Sequence, residues 1–126
     1  MAKILVIEDN QLNMYLCTFI LNGHHHDVIQ AFGGREGIES AGKNLPDLII
    51  LDIQLPEMDG YAVAREIKRN PLTSPIPIVA VTSYAMAGDR ERVLAAGCEG
   101  YIEKPINPAT FASEIEHYLP ARGTNR

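Results

Sequence analysis

Short apolar runs alternate with segments of helical periodicity five times along this chain of 126 residues. Four consecutive aliphatic residues, Leu48–Leu51, predict a strand buried on both faces, as is typical of a parallel sheet covered by helices. The predicted strands cover residues 3–8, 27–32, 47–52, 76–83 and 100–105, and the predicted helices lie around 12–20, 34–44, 61–67, 89–96 and 107–119. This alternation predicts an α/β fold, a parallel sheet with helices on both faces and right-handed crossovers.

The ends of two predicted helices carry specific signals. Asn107 and Pro108 are typical of the N-cap and the first position of a helix, so we expect the fifth helix to begin there. Gly97 follows the fourth helical segment, where a glycine commonly ends a helix.

The length and composition limit the class of protein. A chain of this size predicts one domain, which we place at residues 1–119, followed by a loose tail at 120–126. A hydrophobic content of 46% predicts a packed core, and a net charge of −5 argues against binding to nucleic acid or to an anionic membrane. No apolar run approaches the roughly 20 residues of a membrane span, and the N-terminus is strand-like rather than a signal peptide, so we expect a cytoplasmic protein.

Polar side chains follow four of the predicted strands at the point where each strand ends. They are Glu8 and Asp9 after the first strand, Asp52 at the end of the third, Thr82 and Ser83 at the end of the fourth, and Glu103 and Lys104 on the fifth. Ligands of open α/β sheets bind at the carboxyl ends of the strands. If strands one, three, four and five are neighbours, these side chains meet at one edge of the sheet.

The residue types at this edge predict a site for a phosphoryl group. Adjacent carboxylates repel one another, which raises their pKa values, and Mg²⁺ with oxygen ligands removes that conflict. Lys104 adds a positive charge, Thr82 adds a hydroxyl, and Asp52 can act as a nucleophile that forms an acyl phosphate. An acid at a strand end can also be a turn former or a helix cap, and this alternative applies to both Asp52 and Asp9. The coincidence at four strand ends favours the phosphoryl site.

At these positions the chain resembles a receiver domain of a two-component response regulator. The motifs are "LVIEDN", "LIILDIQLPEMDG", "IVAVTSYA" and "YIEKPI", and the similarity extends from Lys3 to about Leu119. The sequence is similar both to stand-alone receivers and to receivers attached to hybrid histidine kinases. The resemblance implies a flavodoxin-like fold with the strand order 2-1-3-4-5.

The resemblance also implies a role for each residue of the site. Asp52 would be phosphorylated, and Mg²⁺ would be held, directly or through water, by Glu8, Asp9, Asp52 and the backbone carbonyl of Gln54. These roles follow from the matched motifs and not from spacing alone.

Four further residues take roles from the same motifs. Thr82 and Lys104 would hold the phosphoryl oxygens, and the Lys104–Pro105 peptide bond would be cis. Tyr101 would swing inward when Thr82 moves; without the resemblance it would be interpreted as a half-buried strand tyrosine.

The resemblance predicts a signalling module rather than an enzyme, with at most slow self-catalysed phosphorylation and dephosphorylation. The donor would be a histidine kinase or a histidine phosphotransfer protein, and the downstream protein would bind the surface of the fourth helix, fifth strand and fifth helix. The alternatives are an aspartyl-phosphate phosphatase, a flavodoxin-like enzyme, or a degenerate receiver that acts without phosphorylation. Gln54 stands where such phosphatases usually carry a second acid, and "EDNQLN" is acidic where a flavin phosphate would need a loop rich in Ser, Thr and Gly.

Several positions depart from the common receiver pattern. Ser83 replaces the alanine that usually follows the switch threonine and stays small. His25 stands where a glycine commonly ends the first helix, which carries a backbone cost if the position needs positive φ. The run His24–His26 predicts an exposed polar turn, because consecutive histidines do not converge on one metal. Cys17 and Cys98 lack metal spacing and predict reduced thiols in the core.

Overall fold

A computed structural model of the protein describes residues 2–56, 58–83 and 87–120. The strands are β1 (Lys3–Ile7), β2 (Asp27–Ala31), β3 (Leu48–Asp52), β4 (Ile78–Thr82) and β5 (Gly100–Glu103). The helices are α1 (Gln11–Gly23), α2 (Gly34–Asn44), α3 (Gly60–Arg69), α4 (Ala87–Ala95) and α5 (Phe111–His117). Of the predicted tail, residues 121–126 lie outside the described residues. No helix in the described part of the chain is long and apolar enough to cross a membrane.

The five strands form one parallel sheet in the order β2-β1-β3-β4-β5. This confirms the predicted fold class and strand order. All residues of β3 and β4 are buried, as the aliphatic run in β3 predicts for a central strand. Because every strand is parallel, all carboxyl ends meet at the same edge of the sheet.

Side-chain alternation divides the core into two layers. On one face of the sheet, Ile49 and Leu51 pack with residues of α2, α3 and α4; we call this the α3 side. On the other face, Leu48 and Ile50 pack with residues of α1 and α5; we call this the α1–α5 side. Cys17 and Cys98 are buried free thiols, one in each layer.

The ends of α1 and α4 share one hydrogen-bond pattern but differ in one residue. At the end of α4, the N–H of Cys98 donates to the carbonyl of Val93, and Gly97 takes a φ of 104°. At the end of α1, the N–H of His26 donates to the carbonyl of Leu21, and His25 takes a φ of 69°. Both are Schellman motifs, in which glycine is the usual residue with positive φ. The predicted backbone cost at His25 therefore has a structural basis.

The histidine run does not form a uniformly exposed turn, so that prediction is wrong for His26. Its side chain is buried, and the backbone N–H of Ala2 donates to its Nδ1 at 3.1 Å. Because Nδ1 accepts, Nε2 carries the proton and donates to Glu116 Oε2 at 2.8 Å. His26 thereby joins the start of β1 to α5, and His24 approaches the same oxygen at 3.4 Å.

The regular part of the fifth helix begins three residues later than predicted, although Asn107 makes the hydrogen bonds expected of an N-cap, including one from the N–H of Phe111 to its carbonyl at 2.9 Å. α5 begins at Phe111, with Thr110 as its N-cap, and residues 108–110 form a turn. The Asn107 side chain accepts from the N–H of Ala109 at 3.0 Å, and its carbonyl accepts from the N–H of Thr110 at 3.1 Å. Asn107 and Pro108 thus organise a tight turn that precedes the helix, because the same residue types favour turns as well as N-caps.

We expect His25→Gly to stabilise the protein by about 0.5–1 kcal/mol, because glycine adopts positive φ without a Cβ clash. The free energy of unfolding from urea titrations measures the effect. His25→Ala is the matched control, since it removes the imidazole but keeps Cβ. An equal gain in both variants would show that the imidazole, and not the backbone, is the source of the cost.

Candidate functional site

The carboxyl edge of the sheet brings together the three acids that the sequence places at strand ends. Glu8 follows β1, and Asp52 is the last residue of β3; both side chains are buried, on the α1–α5 side by strand alternation. Asp9 is exposed beside them. One carboxylate oxygen from each of the three residues lies within 4.8 Å of the other two. The expected acidic cluster is therefore present.

Lys104 is the cation of this cluster. Its Nζ lies 3.3 Å from Asp52 Oδ2 and 3.5 Å from Glu8 Oε1. Its backbone N–H donates to the carbonyl of Thr82 at 2.8 Å, which anchors the chain after β5 to the end of β4. The Lys104–Pro105 peptide bond that follows is cis. One ammonium group thus faces two buried carboxylates from two different strand ends.

The electrostatics of Glu8 reflect its crowded position. Burial raises the pKa of Glu8 to about 7, and both a hydrogen bond with Asp52 and the charge of Asp52 act in the same direction. The N–H of Asn10, which donates to Glu8 Oε2 at 3.1 Å, and the charge of Lys104 lower this pKa by smaller amounts. Without a metal, the Glu8 carboxyl is therefore partly protonated near neutral pH.

The donor set fits a hard divalent cation. Three carboxylates offer closely spaced oxygens, which are the ligands that Mg²⁺ prefers. The backbone N–H of Gln54 donates to Asp52 Oδ1 at 2.9 Å, which fixes the Asp52 carboxylate and keeps the Gln54 peptide beside it. A bound cation would take the place of the proton on Glu8 and relieve the repulsion among the three acids.

Thr82 and Tyr101 lie on the same face of the sheet. Thr82 is buried at the end of β4. By strand alternation its side chain lies on the same face as those of Ile78 and Ala80, which pack on the α3 side. Tyr101 pairs in register with Ala80 and packs against the same layer. The guanidinium of Arg90 lies 5.6 Å from the centroid of the Tyr101 ring. Thr82 and Tyr101 therefore lie on neighbouring strands and on the same face of the sheet.

Sequence reasoning missed a contact across the mouth of the site. Gln54 Oε1 accepts hydrogen bonds from the Ser83 backbone N–H at 3.0 Å and from Ser83 Oγ at 2.8 Å. The side chain of Gln54 thus bridges the loop after β3 and the end of β4. The replacement of the usual alanine by Ser83 was the available signal, because only a hydroxyl adds the second hydrogen bond.

Sequence reasoning also missed the exposed face of α1. Leu12, Tyr15 and Phe19 are 74%, 64% and 66% exposed, and the rings of Tyr15 and Phe19 stack at 6.1 Å between centroids. Leu12 and Phe19 carry the helical spacing in the sequence, yet the buried residues of the helix are Met14, Cys17 and Leu21. α1 contains no charged residue, so this stripe is neutral; it begins in the first turn of the helix, three residues after Asp9 in the sequence, and runs along the helix.

Fold and site together are those of a receiver domain, and comparison with known families agrees. The response regulator receiver domain family matches residues 4–116, so the chain belongs to that family. Receiver domains of this family serve two-component signalling.

Particular relatives extend the comparison. The polar-differentiation response regulator DivK of Brucella anthropi is 40% identical over 117 residues, which cover 93% of this chain and 95% of the relative. The chemotaxis protein CheY4 of Vibrio cholerae superposes with a TM-score of 0.90 at 27% identity, covering 94% of this chain and 99% of that one. The receiver domain of the sensor histidine kinase PA1611 from Pseudomonas aeruginosa has a TM-score of 0.85 at 32% identity, with 93% and 96% covered. That structure holds a magnesium ion in its active-site cleft.

The raised pKa of Glu8 predicts how stability depends on pH in metal-free protein. Between pH 4.5, the ordinary pKa of a glutamate, and about pH 7, the Glu8 carboxyl binds a proton in the folded state but is mostly ionised in the unfolded chain. The free energy of unfolding should therefore decrease as the pH rises through this window, and it should level off above it. Glu8→Gln removes the titration, so the variant should gain stability relative to the wild type from about pH 5 to about pH 8.

Urea unfolding in EDTA at both pH values measures this difference. Glu39→Gln, an exposed change on α2, is the matched control and should show no such gain. A difference between wild type and Glu8→Gln that does not vary with pH would contradict the raised pKa of Glu8.

Proposed function

We propose that the chain is a phosphorylation-controlled signalling module in which Asp52 accepts a phosphoryl group. One observation carries this proposal: a buried carboxylate stands at the carboxyl edge of the sheet, next to a lysine ammonium at 3.3 Å and two further acids. An aspartate that only forms a turn requires neither burial nor a neighbouring lysine and two further acids. Membership of the receiver family supports the same chemistry.

The residues divide the work of phosphoryl transfer. An oxygen of Asp52 forms the new bond to phosphorus while the bond from phosphorus to the donor's nitrogen or oxygen breaks, which leaves an acyl phosphate on Asp52. The N–H of Gln54 holds Asp52 Oδ1 in place, and the ammonium group of Lys104, 3.3 Å from Asp52 Oδ2, would neutralise negative charge on a phosphoryl oxygen bound there. Mg²⁺, when bound by Glu8, Asp9, Asp52 and the carbonyl of Gln54, supplies further charge neutralisation.

The donor in this proposal is a phosphohistidine on a histidine kinase or a phosphotransfer protein. Asp52 is only 3% exposed, so a donor has to seat itself closely against the edge of the sheet. The neutral stripe of Leu12, Tyr15 and Phe19 begins at that edge and offers an apolar surface for this contact. A cavity of about 280 Å³ between α1 and the segment after β5 adjoins both Asp52 and Lys104.

The contacts of Gln54 do not favour an enzyme that acts on other molecules. A phosphatase of this class needs an acid or base two residues after its nucleophile, whereas Gln54 is a neutral amide held by Ser83. We propose that the chain has at most slow self-catalysed phosphorylation and dephosphorylation. Asp9, Asp52, Thr82 and Lys104 together also disfavour a receiver that works without phosphorylation.

The output of the module is a changed binding surface on α4, β5 and α5. In this proposal the hydroxyl of Thr82 moves toward the phosphoryl group, and Tyr101 takes up the space behind it. The shared face of Thr82 and Tyr101 supports this coupling, as does the half-buried position of Tyr101 under Arg90. One charged group would then bias a two-state element.

We expect Asp52 to be labelled by a small donor such as acetyl phosphate only when Mg²⁺ is present. Intact-mass measurement after donor treatment, with and without EDTA, detects the added phosphoryl group, and peptide mapping after reduction with borohydride locates it. Asp52→Asn should remain unlabelled, while Asp47→Asn, an acid outside the site, should be labelled like the wild type. Equal labelling of Asp52→Asn would show that Asp52 is not the acceptor.

We expect Thr82→Ala to uncouple the phosphoryl group from the surface without preventing its attachment, because Lys104 and the three acids remain. Amide chemical-shift changes on adding beryllofluoride, a phosphoryl mimic, measure the response. In the wild type they should reach Leu94 and Tyr101, whereas in Thr82→Ala they should stay near Asp52. The control is Thr110→Ala at the start of α5, where the side chain makes no capping hydrogen bond. A full response at Leu94 in Thr82→Ala would remove Thr82 from the coupling.

A further inference from the structure

A groove of about 740 Å³ runs along β5 between α4 and α5. β5 is an edge strand of the sheet, so α4 and α5 form the walls of the groove and the strand forms its floor. We call it the β5 groove. Its lining residues used below are Arg90 and Leu94 from α4, Tyr101 and Glu103 from β5, and Glu114 and Tyr118 from α5 and its end.

The charge of the β5 groove is predominantly negative. Glu103 and Glu114 are exposed, and neither pairs with a basic side chain among the described residues. Glu99 also lines the groove, although Lys68 binds it from outside at 3.0 Å. Lys104, next in sequence to Glu103, points instead to Asp52 and Glu8. The lining therefore contains two carboxylates without a basic partner among the described residues.

The positive charge in the lining does not cancel these acids. Among the described lining residues, Arg90 alone is a lysine or arginine, and its guanidinium lies over the ring of Tyr101. The α5 wall, residues 111–117, contains two glutamates and no lysine or arginine. His117 supplies an imidazole to the lining, and its ring contacts Tyr118 edge-on. The groove thus keeps a net negative charge at neutral pH.

Apolar side chains supply the rest of the floor and walls. Leu94 is 48% exposed on α4, although most large aliphatic side chains of the chain are buried. Tyr101, Ile102 and Tyr118 are half-buried in the same groove. An apolar strip bordered by unpaired carboxylates matches a ligand that has one apolar face and positive charges beside it.

The shape of the groove fits a helix better than an added strand. β5 has only four residues, so an added strand would gain few backbone hydrogen bonds along this edge. An added strand would also point alternate side chains toward α4 and α5, which wall the two faces of the sheet. A helix lying between these walls presents an apolar stripe at i, i+3, i+4 and i+7, and flanks it with charged positions.

We propose that the β5 groove binds a positively charged amphipathic helix of a partner protein. The proposal rests on the proposed function, because it specifies the chemistry of the partner at the output surface. Leucine-type side chains of that helix pack on Leu94, Tyr101 and Tyr118, while lysines or arginines on its flanks pair with Glu103 and Glu114. Because Tyr101 shares its face with Thr82, phosphorylation changes the floor of this same groove.

Three fluorescein-labelled model peptides of 18 residues test the proposal. The first has leucines at helical spacing and lysine at all remaining positions, and the second replaces each lysine by glutamate. The third has the composition of the first but alternates leucine and lysine, which favours a strand. Fluorescence anisotropy measures each peptide against the protein with and without beryllofluoride. The helical lysine peptide should bind at least about tenfold more tightly than either of the others, and beryllofluoride should change its affinity.

Charge reversal locates the binding. Glu103→Lys combined with Glu114→Lys should weaken the helical lysine peptide by about tenfold or more, and should strengthen the glutamate peptide. The matched control combines Asp27→Lys with Glu39→Lys, two exposed acids outside the groove. This control changes the net charge equally and should keep the wild-type preference. Circular dichroism and urea unfolding establish that both double variants are folded.

Each other outcome overturns the proposal. Equal loss in the control variant would mean that the peptide responds only to the net charge of the protein. Tighter binding of the alternating peptide would assign strand addition at β5, and equal binding of the lysine and glutamate peptides would remove charge recognition. Labelling of Asp52 by acetyl phosphate is measured on the same samples. A labelled protein without the charge preference defeats the groove proposal alone, whereas an unlabelled protein with the preference defeats the proposed function alone.

Discussion

The contact of one ammonium group with two buried carboxylates is the constraint on which the site depends. Glu8 and Asp52 emerge where β1 and β3 end, and both have lost most of their contact with water. Lys104 reaches them from the end of β5, across the intervening β4. Its loss would leave buried charges unpaired, which is strongly destabilising. The strand order and the long, flexible lysine side chain are therefore both needed to hold these acids at the edge of the sheet.

The sheet could be predicted from the sequence because its strands are nearly continuous aliphatic runs, which have few other uses in a chain of this length. The face of α1 could not. The helix has no charged residue, so its apolar periodicity indicates a helix without showing which side is buried. Packing of Met14, Cys17 and Leu21 against the sheet decides the matter and leaves Leu12 and Phe19 exposed. Similarly, Asn107 and Pro108 fit a turn as well as a helix start, and in the structure a turn at 108–110 precedes α5.

The positions of the acidic cluster and of Lys104 were accessible from the sequence because parallel strands place all their carboxyl ends at one edge. Contacts that depend on register or on distant segments were not. The side on which Tyr101 lies follows from its pairing with Ala80, and no spacing rule contains that register. The buried position of His26 depends on a chain reversal at the positive φ of His25 and on Glu116, which is 90 residues away.

The proposed input and output surfaces differ in chemistry, and this difference allows one small domain to discriminate between two partners. The stripe on α1 is neutral and apolar, whereas the β5 groove is acidic, so a helix suited to one carries the wrong polar residues for the other. In the proposed mechanism, the acyl phosphate carries about 1.5 to 2 negative charges in place of the single charge of the Asp52 carboxylate, a net gain of about 0.5 to 1. This field favours a cationic partner, but solvent ions screen it over about 8–10 Å. The charge of the phosphoryl group therefore acts in the same direction as the groove but weakly, and the larger share of the response falls to the movement of Thr82 and Tyr101 within the α3 side of the core.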